Sequence, residues 1–216
     1  MRKVQRPRNN NKLHIRVREV ITKDKRLLAL TMVLGSGSIN QNRLEVLHKA
    51  SAEEYLDWKI KLLEEAGIFV KKKFPVLNNG KFPSFKFYTK TYNYLTEIKR
   101  SFKNPVKDFS YFAKNLEDWM LAILYMDGGS ISSTKKKAVL TINTGISKEG
   151  NQILIDAIKN KFAVSFGQKK MGKYYSLICG TKEARKFMGI VSPIVSQVSC
   201  MHYKLFVKNE GYIVNL

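Results

Sequence analysis

Apolar and polar positions along the chain fall into two similar series of elements. Lys25 to Leu34 is a nearly unbroken apolar run containing Ala29 and stopped by Gly35 and Gly37, the pattern of a buried helix with a glycine exit. Arg43 to Ala50 alternates, with Leu44, Val46 and His48 on one side and Arg43, Glu45, Leu47 and Lys49 on the other, which predicts a half-buried strand. Ser51, with Glu54 three residues on, has the form of a capping box. It opens an amphipathic helix whose apolar stripe is Tyr55, Leu56, Ile60, Leu62 and Leu63 and which ends at Gly67. Phe69 to Val76 and Phe82 to Thr89 predict a hairpin around Asn78-Asn79-Gly80, with Phe85 and Phe87 facing one way and Lys86, Tyr88 and Lys90 the other. Tyr92 to Phe102 reads as a helix, and Lys103-Asn104-Pro105 starts a linker that ends near Lys114.

The order then repeats. Leu116 to Met126 predicts a helix leading into Gly128-Gly129, followed by strands at Ile131 to Lys136 and Ala138 to Asn143. Ser147 to Phe162 predicts a helix with Ile153, Leu154, Ala157, Ile158 and Phe162 inward. Val164 to Lys169 and Tyr174 to Cys179 predict a hairpin around Lys170-Met171-Gly172; Thr181 to Met188 is the next helix, and Pro193 opens a closing segment. Trp58 and Trp119 fall in helical patterns as core residues. Each half therefore reads helix, two strands, helix, two strands, helix, an α+β arrangement.

The repetition is also literal. Ala29 to Ser38 and Leu121 to Ser130 are both apolar runs that break into small residues and then Gly-Ser-Ile, and aligning Gly37 with Gly129 gives a spacing of 92 residues. This internal duplication predicts a basic arm over 1–18, a first half over 19–104, a linker over 105–115 and a second half over 116–216. The two apolar helices must bury their surfaces, against each other about a pseudo-twofold or each against its own sheet; Ala29 and Ala122 are small enough for close approach.

Charge changes the picture more than composition does. A hydrophobic content of 44% is ordinary, but 39 Lys+Arg against 17 Asp+Glu give a net charge of +22. Such an excess repels itself unless a polyanion sits against it, so nucleic acid is the expected partner. An anionic membrane surface fits less well, because the bases recur along the whole chain and no apolar run reaches the length of a membrane span. Met1 to Arg18 holds seven Lys/Arg, no acid, Pro7 and the run Asn9-Asn10-Asn11, which suits a backbone-gripping arm or a solvated tail. Glu53, Glu54, Asp57, Glu64 and Glu65 gather on one helix as a solvated face turned away from the polyanion. Cys179 and Cys200 make no disulfide framework and have no metal-ligand spacing, so an intracellular, reducing compartment is expected. His14, His48 and His202 are scattered, with no paired spacing for a metal.

The paired glycine-ended segments, together with Pro193 and Cys200-Met201-His202-Tyr203-Lys204-Leu205, resemble the LAGLIDADG homing endonucleases over roughly residues 20–206. The resemblance implies a single-chain monomer of two pseudo-symmetric αββαββα halves forming a saddle, with the motif helices packed at the centre. It also implies intron or intein mobility, double-stranded DNA as substrate and Mg2+ as cofactor. In the family the eighth motif position is an acid that holds the metal; here those positions are Ser36 and Gly128. Magnesium is hard and takes oxygen ligands, usually carboxylates, so weak or no Mg2+ binding is expected. Asp127 stands one residue early, turned by about 100° on a helix, and Gly35 is its partner by the repeat. Lys204 matches a family position that serves as a phosphate contact or an active-site helper.

Two-stranded ribbons fit the DNA major groove, and the resemblance puts the strands there. The expected contacts are Arg43, Lys49, Lys71, Lys73, Lys86, Tyr88 and Lys90 in the first half. In the second half they are Lys135, Lys137, Thr141, Asn143, Gln168, Lys170, Lys173 and Tyr175. Lysines mostly hold phosphates, while Arg, Asn, Gln and Thr can read base edges. The function expected from all this is sequence-specific binding of double-stranded DNA with cleavage absent or crippled. The alternatives are an intron-RNA-binding maturase and a DNA-binding repressor on the same platform.

Overall fold

A computed structural model of the chain describes residues 24–101, 105–134, 137–172 and 174–205. The expected basic arm over 1–18, and Lys135 and Lys173 among the expected contacts, lie outside the described residues. The first half comprises α1 (Lys25–Gly35), β1 (Gly37–Asn40), β2 (Arg43–Lys49), α2 (Glu53–Glu65), β3 (Val70–Asn78), β4 (Phe82–Thr89) and α3 (Asn93–Ser101). After α4 (Pro105–Lys114), the second half comprises α5 (Asp118–Gly128), β5 (Gly129–Thr134), β6 (Lys137–Ile146), α6 (Lys148–Phe162), β7 (Gly167–Met171), β8 (Tyr174–Gly180) and α7 (Thr181–Val195). A 3-10 segment, Ser199–Leu205, follows. Each half thus has the expected αββαββα order. Each builds one four-stranded antiparallel sheet with the same topology, β1-β2-β4-β3 and β5-β6-β8-β7.

The centre is made by α1 and α5. Leu27 to Met32 and Leu34 of α1 are buried, as is every residue from Trp119 to Met126 of α5. A helix apolar all round must be covered on all sides, and these two pack on each other as well as on their own halves. Asp24 starts α1 by accepting the backbone N–H groups of Arg26 and Leu27 at 2.9 and 3.0 Å. The β1–β2 turn places both Gln41 and Asn42 at positive φ, the geometry of a tight hairpin.

Three local expectations change. Ser51 does not cap α2; it lies in a 3-10 turn, Ala50–Ala52, and the helix starts from Ala52 without a side-chain cap. Glu54 is engaged elsewhere, accepting the backbone N–H of Ser199 at 3.1 Å, the Ser199 hydroxyl at 2.5 Å and the N–H of Cys200 at 3.0 Å. The stretch read as a linker is helical from Pro105 to Lys114. Finally, α7 runs through Pro193 to Val195. Its buried stripe of Ala184, Phe187, Met188, Val191, Ile194 and Val195 keeps helical spacing past the proline, and that burial outweighs the lost backbone bond.

Strand register decides which side chains share a face. Opposed residues of an antiparallel pair lie on the same side. In the first sheet, Leu44, Val46, Phe87 and Thr89 are buried beneath the helices. The opposite, open face carries Arg43, Glu45, Leu47 and Lys49 of β2, Lys86 and Tyr88 of β4, and Lys72 and Phe74 of β3. In the second sheet, Leu140, Ile142, Leu177 and Cys179 are buried. Its open face carries Lys137, Val139, Thr141 and Asn143 of β6, Ser176 and Ile178 of β8, and Lys169 of β7.

Candidate functional site

The ends of α1 and α5 meet where the two halves join. A Cβ added at Gly35 would collide with the Asp127 carboxylate, so the glycine is what lets the helix ends close up. Asp127 leans across this junction into the first half, and its side chain is fully buried. There it meets Lys59 of α2, also fully buried, whose Nζ donates to Oδ1 at 2.6 Å and Oδ2 at 2.8 Å. Lys59 also donates to Ser36 Oγ at 2.9 Å, lies 3.1 Å from His48 Nε2 and sits over the Tyr55 ring at 4.5 Å. Ser36 Oγ is 3.0 Å from the same His48 nitrogen.

Burial alone would push the Asp127 carboxyl up, but the Lys59 charge and the His48 hydrogen bond outweigh it and hold the group below the usual carboxylate range. Burial pushes Lys59 down, and Asp127 offsets that only in part. Burial and the Lys59 charge also push His48 down, so the imidazole is neutral near pH 7 and its 3.4 Å approach to Asp127 is not an ion pair.

Ser, His and Asp together suggest a nucleophilic relay, but the geometry forbids it. Serine and aspartate meet the same imidazole nitrogen, whereas a relay needs one at each end of the ring. The magnesium implied by the resemblance does not fit this set of donors either. Both Asp127 oxygens are spent on an ammonium, Ser36 is neutral, and Gly128 has no side chain. Among the described residues, no group of three or more His, Cys, Asp and Glu side chains could hold a metal ion. Gly128 is also closed to side chains, since a Cβ there would collide with the Asn143 carbonyl oxygen.

Lys204 lies beside the junction, at the end of α5. Its Nζ donates to the carbonyl oxygens of Tyr125 at 3.0 Å and Gly129 at 2.9 Å, capping the end of α5, where a cation suits the helix dipole. The Tyr125 hydroxyl returns a 2.7 Å bond to the Lys204 carbonyl. Burial pulls the Lys204 amine down to about 8.

The expected contacts divide by register. Arg43, Lys49, Lys86, Tyr88, Lys137, Thr141 and Asn143 share the open faces, and Lys90 follows directly after β4. Lys71 occupies a bulge, Val70 pairing with Thr89 and Lys72 with Tyr88. The extra residue turns Lys73 to the helix face, where Glu53 and Asp57 each hold it at 2.6 Å, and brings Lys72 to the open face. Gln168 is likewise on the helix side, donating to Gln152 of α6 at 3.2 Å, and Lys170 and Tyr175 share its side. On the open faces themselves, Lys86 is paired with Glu45 at 2.7 Å, and Asn143 accepts from the Ser176 hydroxyl at 2.6 Å.

His48 and Lys59 were missed as a site. The usable signal was Lys59 itself, a charged residue inside the apolar stripe of Tyr55, Leu56, Leu62 and Leu63, where a lysine needs a buried partner. No described helix is long and apolar enough to cross a membrane.

Comparison with known proteins agrees with the fold. A homing endonuclease, I-WcaI, solved with its DNA recognition sequence, superposes with a TM-score of 0.65 at 18% identity, covering 88% of this chain and 92% of that one. The N-terminal LAGLIDADG domain of DUF199/WhiA gives a TM-score of 0.51 at 14% identity, over 88% of this chain and 96% of that domain. A mesophilic variant of the homing endonuclease I-DmoI gives 0.50 at 13% identity, over 79% and 96%. No curated protein sequence matches significantly. The model of the LAGLIDADG DNA endonuclease family matches residues 29–187, and the chain belongs to that family.

Proposed function

We propose that this protein binds double-stranded DNA sequence-specifically and holds it without efficient cleavage. The +22 charge and the open basic sheet faces support binding. The observation that carries the non-cleaving part is the buried Lys59–Asp127 pair: the carboxylate nearest the junction of the motif helices is already neutralised by an internal ammonium. Phosphodiester hydrolysis assisted by magnesium needs hard anionic oxygens at that place, and Ser36 and Gly128 supply none. On this reading the two halves form a cationic saddle, with sheets supplying base contacts and lysines the phosphate contacts.

The test is selection from a randomised duplex library, followed by prolonged incubation of the enriched duplex with protein and Mg2+. The expected result is an enriched sequence that stays intact, with affinity falling about a thousandfold or more between about 50 and 200 mM salt. Absence of enrichment overturns the binding claim. Site-specific double-strand breaks overturn the non-cleaving claim.

A further inference from the structure

The two open faces are not chemically equivalent, although they are topologically equivalent. Gly37 pairs with Val46 and Gly129 with Ile142, so Arg43 of the first sheet corresponds to Val139 of the second. By the same register Tyr88 corresponds to Ile178 and Lys72 to Gly167. The first sheet therefore has a cation and an aromatic ring where the second has two aliphatic side chains.

Arg43 is unusual in its setting. Four arginines occur among the described residues, and three of them, Arg26, Arg100 and Arg185, lie on helices. Arg43 is the one arginine of either sheet. Its guanidinium carbon lies 5.5 Å from the centre of the Tyr88 ring, and its Nε is 3.5 Å from Thr91 Oγ1. Phe74 meets the Tyr88 ring edge-on at 6.0 Å, and Lys72 sits over Phe74 at 5.4 Å. The acid on this face, Glu45, is held by Lys86 at 2.7 Å. A planar guanidinium steadied on a ring loses little freedom when it forms two parallel hydrogen bonds, which a lysine cannot do. Two acceptors side by side are what guanine presents in the major groove through O6 and N7.

We propose, resting on the duplex-binding function above, that Arg43 is the base-reading side chain of the first half, selective for guanine, with Tyr88 as its positioning residue. The second half has Val139 and Ile178 at the equivalent positions, and the amide on its open face, Asn143, already accepts from the Ser176 hydroxyl. Recognition is lopsided: the sharpest preference falls in one half-site, while small polar groups such as Thr141 give the other a softer one.

The experiment is the same library selection, run with the wild-type chain, Arg43→Lys, Tyr88→Leu and Tyr88→Phe, each first checked for cooperative unfolding. The wild type should give a consensus with one strongly fixed guanine. Arg43→Lys should lower discrimination at that position by about tenfold or more, leaving other positions and the salt slope unchanged. Tyr88→Leu should weaken the same position, and Tyr88→Phe, which keeps the ring, should restore it. A wild-type consensus that Arg43→Lys leaves untouched, or a loss spread evenly over the site, overturns this inference alone. Failure of the wild type to enrich any duplex overturns the binding function and the inference with it.

Discussion

Two positions beyond Val46 in β2 stands His48; two beyond Ile142 in β6 stands Thr144. The first residue joins a buried charged cluster with Lys59, Ser36 and Asp127. The second joins a buried neutral one, in which Thr144 donates to Asn151 Oδ1 at 2.8 Å and Asn151 donates to the Tyr175 carbonyl at 2.9 Å. The same framework thus tolerates two solutions for a polar position under a sheet. The neutral one needs only local hydrogen bonds. The charged one needs a partner from the other half, and Gly35 leaves the room for it.

The largest effect should come from separating the charged pair. Lys59→Met strands a buried carboxylate and should cost about 3–5 kcal/mol in denaturant unfolding, whereas Lys59→Met with Asp127→Leu should regain most of that loss. A single variant no more costly than Asn151→Ala would break the comparison. The pair also sets the acid limb of stability. The Asp127 carboxyl titrates lower folded than unfolded, so its contribution is present above about pH 4 and is lost as pH falls through the folded value. The double variant should show a flatter acid limb.

Next in size is the backbone at the junction. Gly128→Ala should cost roughly 1–3 kcal/mol through overpacking against the Asn143 carbonyl. For the same reason, Ser36→Asp with Gly128→Asp should lower the melting temperature rather than produce Mg2+-dependent cutting. Vigorous cutting by that variant would show that the site needs only its acids. The neutral cluster comes third: Asn151→Ala should cost about 1–3 kcal/mol by leaving Thr144 and the Tyr175 carbonyl short of a partner. The smallest effect distinguishes the faces of β3. Lys73→Ala should change DNA affinity little and stability by about 1 kcal/mol or less, since its bonds to Glu53 and Asp57 are solvent-screened. Lys72→Ala should lower affinity and flatten the salt slope by about one unit.

These contrasts also mark where sequence reasoning succeeds and stops. Element order, both hairpins and the glycine-ended helices were legible because periodicity and turn residues are local signals. The Lys73 assignment failed because a single bulged residue, Lys71, inverts every side chain beyond it, and nothing in an alternating string marks the extra residue. The ion pair was invisible for a different reason. Lys59 and Asp127 are 68 residues apart, and each looked ordinary until the helices were brought together. Glu54 was misassigned to its own helix because a capping pattern can be satisfied only if the backbone starts where the pattern says, and α2 starts after it.

Glu54 has one more consequence. Its carboxylate grips Ser199 and Cys200, 145 and 146 residues downstream, so α2 of the first half fastens the closing 3-10 segment of the second. A chimera that took one half from a relative would inherit the acceptor without its donors, or the donors without their acceptor. Modular exchange within this architecture must therefore transplant that clasp along with the half that carries it.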